Sequence, residues 1–369
     1  MSEIKENKVN VAFAAFGPSI ESLVPVYKEN VQRSKDYVTL GNNDDYANYL
    51  WENYLNSVTL QTIVNGTSDF AVGNGVHCNI PGFDKKANNR GETWNYIAGR
   101  CFVDYILYGA FYLQVIRNKA GKVGEVYWLD YRFVRSNEKN NVFYYNEDFG
   151  KKYGRSSKSL TYPKYMPDSN AATSVIMVKN PYSRTVYGTP VWISALNSVL
   201  TEIKIGTFHL NEISNNFMGG VLINFNNGTP TDEQKKEIEK NIMEKFCGAE
   251  NAGRTVISFN NGRVNEATIQ RIATNDFADR YNALAEQTES RIFSAFGASP
   301  NLFGISTDNK GFAEEQYEES FRLYNRTRVR PIQQKFSDIC DYIFGVEGSI
   351  TIDPFSVNEG NNDEERNVQ

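Results

Sequence analysis

Two long runs of helical apolar spacing bracket a segment too short to hold a core of its own, which narrows the possible folds more than any other feature. The first run, "TPVWISALNSVLTEIKIGTFHLNEISNNF", keeps Trp192, Leu196, Val199, Leu200, Ile203 and Phe208 on one stripe. Thr189 is its N-cap candidate, and Pro190 takes the first helical position. Unbroken to Phe217 it would be about 40 Å long at ~1.5 Å per residue. Gly206 is its weak point, costing about 1 kcal/mol relative to Ala. The second run spans about Asn275 to Phe296. Between them "GGVLINF" reads as a strand, "TDEQKKEIEKNIMEKF" as a helix with a Thr231…Gln234 capping box, and "GRTVISFNNG" as a second strand. Ile238, Ile242 and Phe246 fall four apart, which leaves Lys235, Lys236, Glu239, Lys240 and Glu244 mostly outward. One helix over two strands, in about forty-five residues, buries too little surface to stand alone. It must lean on neighbours.

The N-terminal part has a different grammar. Tyr46, Tyr49, Leu50, Tyr54 and Val58 predict one helix over Asn43 to Val64, and Trp94, Ile97, Cys101, Val103 and Tyr105 predict another from Trp94 to Leu107. "GNGVHCNI" reads as a turn and an extended piece. The following aromatic and β-branched runs, separated by "NKAGK" and "NEKNN", predict an antiparallel meander, and "TSVIMVKNP" one more strand. The first part of the chain, to about residue 185, is thus an α+β unit. A third helix, about Phe312 to Phe344, contains Pro331, which removes a hydrogen bond and should kink it. "SITIDPF" reads as a closing strand and "NEGNNDEERNVQ" as a polar, mobile tail.

Little in the sequence points to bond-making chemistry. His77 and His209 are isolated, and each reads as a structural or surface residue. There is no Walker A sequence and no Gly-x-Ser-x-Gly elbow. "GNGVHC" starts like a dinucleotide fingerprint, but Cys78 takes the third glycine's place and no helix start follows. Asp276 and Asp279 stand at a helix start, where they favour the dipole rather than hold a metal. Cys78, Cys101, Cys247 and Cys340 lack metal or redox spacing and read as buried free thiols. No catalytic residue, metal site or cofactor is therefore expected. The N-terminus shows no signal pattern and no run reaches the ~18 apolar residues of a membrane span, so the expectation is a soluble, intracellular chain. A net charge of −5 argues against tight electrostatic DNA binding and is compatible with weak contact.

Several motifs, in order, resemble those of the portal proteins of tailed bacteriophages. "VYGTPVWISALNSV" is similar to the opening of their first stem helix. "NNFMGGVLINF", "TDEQKKEIEKNIMEKF" and "ENAGRTVISFNNG" are similar to their clip, and Asn275–Phe296 to the return stem helix. "AFGASPNLFG" matches the Phe-Gly-x-x-Pro-x-Leu-x-Gly element before the tunnel loop, and "RVRPIQQKFSDI" the Arg-Pro helix behind it. The similarity is best from about Ser174 to Phe344 and fainter over the N-terminal third.

The resemblance implies a division into wing (1–188), first stem helix (189–218), clip (219–265), second stem helix (266–296), tunnel loop (297–311), kinked helix with closing wing strand (312–355) and polar tail (356–369), with a crown minimal or absent. It implies a homo-oligomeric ring, commonly of twelve subunits, at one capsid vertex of a virion assembled in the bacterial host's cytoplasm. Double-stranded DNA would pass through its channel. Terminase, head-completion adaptors and the major capsid protein would be its partners. On this reading Pro300, Leu302 and Phe303 anchor the loop, while Ser306, Thr307, Asp308, Asn309 and Lys310 project towards DNA. Lys235, Lys236, Glu239, Lys240 and Glu244 form the clip's docking face. Two other readings stay open: a ring or adaptor without a DNA channel, and a hydrolase built on carboxylates that no motif singles out. A ring with a hole wide enough for duplex DNA separates the first reading from both.

Overall fold

The computed structural model describes residues 28–31, 36–150, 158–214, 221–225, 231, 233–234, 236–237, 255–259, 268–271, 277–305 and 314–356. The described residues fall into two compact units, a larger one within Pro25–Leu200 and Thr288–Gln369 and a smaller one within Thr201–Gln287. In the larger unit, β1 (Glu29–Val31) and β2 (Val38–Leu40) pair antiparallel ahead of α1 (Tyr46–Asn56) and α2 (Val58–Val72). The single helix expected over 43–64 is therefore two. Ser57 is extended (φ −104°, ψ 115°), and its hydroxyl accepts the Leu60 N–H at 3.1 Å, capping α2. Leu50 and Tyr54 before the break, and Leu60, Ile63 and Val64 after it, are all buried. The apolar spacing runs on across the break and hides it.

After α2 come β3 (Gly75–Cys78) and α3 (Trp94–Tyr108), which is capped by Thr93 through the Tyr96 N–H at 3.3 Å. The expected meander is antiparallel but splits in two. β4 (Ala110–Arg117) lies between β5 (Val123–Leu129) and the later β9 (Thr173–Lys179). A second sheet orders β6 (Val134–Ser136), β7 (Val142–Tyr145) and β8 (Leu160–Pro163). A 3₁₀ turn over Tyr131–Phe133, held by the Asp130 carboxylate accepting the Arg132 N–H, separates the sheets. Arg135 on β6 is fully enclosed and donates from Nε to Asp44 Oδ1 at 2.5 Å and from Nη2 to the Asp44 carbonyl at 2.9 Å, tying that sheet to the turn before α1. Asp104 on α3 accepts the Trp128 indole N–H at 2.8 Å, and burial lifts its carboxyl well above the usual range.

The next helix, α4 (Leu196–Ser214), starts later than Thr189 and Pro190 suggest. Tertiary contacts occupy the proposed cap. The Thr189 N–H donates to Ser183 Oγ at 2.6 Å, and its carbonyl accepts the Asn180 amide. The same peptide lies so near Gly109 that a Cβ there would stand 2.5 Å from the Thr189 carbonyl carbon. Trp192, fully buried, stacks on Phe296 at 6.3 Å, and a 3₁₀ turn over Ile193–Ala195 leads into the helix. Gly206 does not interrupt it.

The smaller unit holds β10 (Val221–Phe225), β11 (Thr255–Phe259) and β12 (Thr268–Arg271), with β10 in the middle, parallel to β11 and antiparallel to β12. A parallel pair needs a crossover, and helical residues 233–234 and 236–237 lie within it. The capping box is made in both directions: Thr231 N–H to Gln234 Oε1 at 3.1 Å, and Gln234 N–H to Thr231 Oγ1 at 3.4 Å. β12 is an addition to the expected strand–helix–strand. Phe208 stacks on Tyr281 of α5 (Phe277–Phe296) at 4.5 Å, with His209 edge-on to both rings.

Back in the larger unit, α6 (Glu314–Tyr324) and α7 (Arg330–Phe344) are joined by a π turn over Asn325–Val329. Pro331 explains it. The proline has no N–H to donate to Thr327, and its ring would press on that carbonyl in an α-helix; the wider turn relieves both. β13 (Ile350–Asp353) closes on β3 antiparallel, with Ile352 opposite Val76. Phe336 of α7 sits edge-on to Phe102 of α3 at 5.4 Å, inside a core shared with Phe111 and Leu107. Cys78, Cys101 and Cys340 are buried free thiols, whereas Cys247 lies outside the described residues. His77 faces Asp353 at 3.2 Å on the surface. Among the described residues, no helix is long and apolar enough to cross a membrane.

Candidate functional site

The turn after α5 is built by two glycines in the left-handed region, Gly297 (φ 63°) and Gly304 (φ 77°). The Ala298 N–H returns to the Phe293 carbonyl at 3.0 Å, ending the helix. Ser299 is extended, and Pro300 opens a 3₁₀ turn, Pro300–Phe303, closed by the Leu302 N–H on Ser299 O at 3.1 Å and the Ile305 N–H on Pro300 O at 3.2 Å. The turn places two apolar side chains against the larger unit. Leu302 is buried. The half-buried Phe303 ring lies among Phe70, Phe293 and Tyr324, with centroids at 5.9, 5.9 and 6.2 Å. It reaches α2 because Gly66 has no side chain: a Cβ there would stand 2.6 Å from Phe303 Cδ1 and 2.7 Å from Cε1. Phe70 continues the cluster to Phe321 at 5.3 Å and Phe355 at 5.2 Å.

Tyr324 marks where α6 meets the π turn. Its hydroxyl pairs with Thr67 Oγ1 at 2.7 Å. Burial pushes that hydroxyl up to about 12, outweighing the opposing Thr67 hydrogen bond and Arg328 charge, so it stays protonated. The guanidinium of Arg328 borders Gly297, where a Cβ would stand 3.0 Å from Nη2. With Pro331, Ile332, Phe296, Tyr105 and Tyr182 it lines a groove of about 170 Å³ beside the turn. The opposite flank of this helix is different. Arg322, Arg326 and Arg330 recur every four residues, and all three are exposed.

The sequence profile described as "Phage portal protein" matches residues 89–349. The chain belongs to that family. As a portal protein it shares its fold with a chain from the neck of a native GTA particle computed with C12 symmetry, at a TM-score of 0.56 and 16% identity over 88% of this chain and 87% of that one. It also shares it with an HK97-family phage portal protein from Corynebacterium diphtheriae, at a TM-score of 0.50 and 11% identity over 79% and 89% of the two chains. Two uncharacterized proteins are 29% identical: one from Rickettsia bellii over 143 residues (38% of this chain, 35% of that protein), the other from Rickettsia felis over 120 residues (32% and 29%). The match thus spans about a third of those relatives' length.

The structure places the expected site residues of this portal protein unevenly. Pro300, Leu302 and Phe303 sit together in the turn. Ser306, Thr307, Asp308, Asn309 and Lys310 lie outside the described residues, as do Lys235, Glu239, Lys240 and Glu244. Lys236 is helical and exposed. Asp276 lies outside the described residues and Asp279 in the first turn of α5; among the described residues no group of three or more His, Cys, Asp or Glu is placed to hold a metal. The arginine row is absent from the expectations drawn from sequence. Its signal was there to read, as "RLYNRTRVR" carries four arginines in nine residues with no acid among them.

Proposed function

We propose that this chain is the repeating subunit of a closed ring at one capsid vertex, whose axial hole passes double-stranded DNA into and out of the particle. The observation that carries the reading is the family match over residues 89–349, joined to a fold likeness that covers nearly all of a neck-particle chain computed with twelvefold symmetry. That symmetry supports twelve copies here. A cyclic, head-to-tail interface completes the burial that a three-stranded insert cannot reach alone.

In this assignment residues 189–218 and 266–296 are the stem, 219–265 the clip, and 1–188 with 312–355 the wing. Residues 297–311 are the tunnel loop. Leu302 and Phe303 brace its base and Ser306–Lys310 face the DNA. The clip helix, with Lys235, Lys236, Glu239, Lys240 and Glu244, docks the packaging terminase and later the head-completion adaptors, and the wing meets the major capsid protein. The ring is a passive conduit within a virion assembled in the bacterial cytoplasm, and hydrolysis of ATP belongs to the motor. The likeness to chains from gene transfer agent particles makes such a particle a second setting for the same ring.

Light scattering after size exclusion, with negative-stain microscopy of the purified full chain, tests the proposal. The expected outcome is a ring with a hole wide enough for duplex DNA. A stable monomer, or a closed assembly without a lumen, would overturn it.

A further inference from the structure

Resting on the ring reading above, we infer that Arg322, Arg326 and Arg330 form a phosphate-binding row that grips the backbone of duplex DNA next to the tunnel loop. The three residues stand on one face of the helix that follows the loop. The wider π turn over Asn325–Val329 helps keep Arg326 and Arg330 in line. At ~1.5 Å per residue their stems are about 6 Å apart along the helix.

The ordinary explanations for an exposed arginine row do not apply. An arginine in a helix's last turn normally complements free carbonyls and the negative end of the dipole. Arg322 occupies the last turn of α6, but the backbone stays helical through the π turn into α7, so no free end exists there. Ion pairing is the other common role, and among the described residues none of the three makes one. Glu318 and Glu319 stand one turn before Arg322 without reaching ion-pair distance of it, and from there to Asp338 the sequence has no acid. Three like charges held side by side repel one another, which favours a partner bearing regularly spaced negative charge.

Duplex DNA fits better than an acidic protein face. The cores of protein interfaces are apolar, with charge at the rim, and the row itself is guanidinium throughout. The apolar groove lies on the other flank, with Arg328 rather than the row. A guanidinium fork suits phosphate oxygens. The charge is also local: the whole chain is at −5, so the row can hold a passing duplex without making the channel adhesive overall. Three contacts per subunit, only some of them engaged at once, suit a brake on back-slippage better than a tight site.

The test uses the assembled full-length ring, a short fluorescently labelled duplex DNA and anisotropy titrations from about 50 to 200 mM NaCl. Each phosphate contact contributes about −0.9 to the salt slope on B-DNA. Arg322→Gln/Arg326→Gln/Arg330→Gln removes the row from every subunit, so three engaged contacts around the whole ring are enough to flatten the slope by about 2.7. Over that fourfold salt range the wild type should lose about 40-fold more affinity than the variant. The triple Arg→Lys variant should keep the wild-type slope within about one unit, because charge dominates that quantity. An intact Gln-variant ring with an unchanged slope overturns the row, as does a wild-type ring that binds no duplex; both leave the ring reading standing. A Gln variant that no longer assembles makes the row a contact between copies and also overturns the proposal. A wild-type chain that forms no ring instead removes the reading on which the row depends.

Discussion

Gly66→Ala puts the packing beneath the loop to a direct test. The added methyl would stand 2.6 and 2.7 Å from Phe303 Cδ1 and Cε1, where carbon contacts settle at ~3.5–4.0 Å. The ring has to move by about 1 Å, yet Phe70, Phe293 and Tyr324 surround it. Overpacking of this kind costs about 1–3 kcal/mol. The same substitution favours α2 by about 1 kcal/mol, because Ala outranks Gly in a helix. The net effect in the wild type is a loss of about 0–2 kcal/mol. In a Phe303→Ala background the obstacle is gone and only the helical gain of about 1 kcal/mol remains. The two positions are thus coupled by about 1–3 kcal/mol, readable from a double-mutant cycle. Scanning fluorimetry on the four assembled proteins should show Gly66→Ala lowering or leaving Tm in the wild type and raising it by about 1–2 °C without Phe303. Equal shifts of one sign in both backgrounds would refute the claim that Phe303 is seated against α2.

Deleting Ser306–Lys310 should leave ring assembly intact and impair DNA packaging or retention; normally filled heads would remove the loop from the channel. Reversing Lys235, Lys236 and Lys240 to Glu should weaken motor or adaptor docking, measured by co-sedimentation, with the ring unchanged; full docking would count against the clip assignment. Asp341 gives a pH signature. Slight burial pushes its carboxyl up, but hydrogen bonds from Ser349 Oγ (2.6 Å), Ser349 N–H (2.7 Å) and Gly348 N–H (3.0 Å) outweigh that and hold it below the usual carboxylate range. Its contribution is therefore present above about pH 4 and fades as pH falls through the lowered folded-state value. Asp341→Asn should cost about 1 kcal/mol at neutral pH, with Tm curves of variant and wild type converging in acid; a gap constant down to pH 3 would rule this out.

Local periodicity carries much of this fold, and the exceptions have identifiable causes. Trp94–Tyr108 and Phe277–Phe296 are helices because their apolar residues recur every three or four positions, and Thr231 with Gln234 forms the capping box that their spacing announces. Spacing cannot register a change of direction that keeps the same residues inward, so the break at Ser57 escapes it. Thr189 fails as a cap because Ser183, Asn180 and Gly109 occupy its backbone from outside the local window. The pocket for Phe303 was equally hidden, since it depends on an absent side chain more than two hundred residues earlier, at Gly66. The arginine row shows the opposite failure. Its residues were plain in the sequence, but a net charge of −5 is a sum over 369 residues and carries no direction. Only the helix with its π turn brings Arg322, Arg326 and Arg330 to one side, and a phosphate backbone responds to the field of that side rather than to the total.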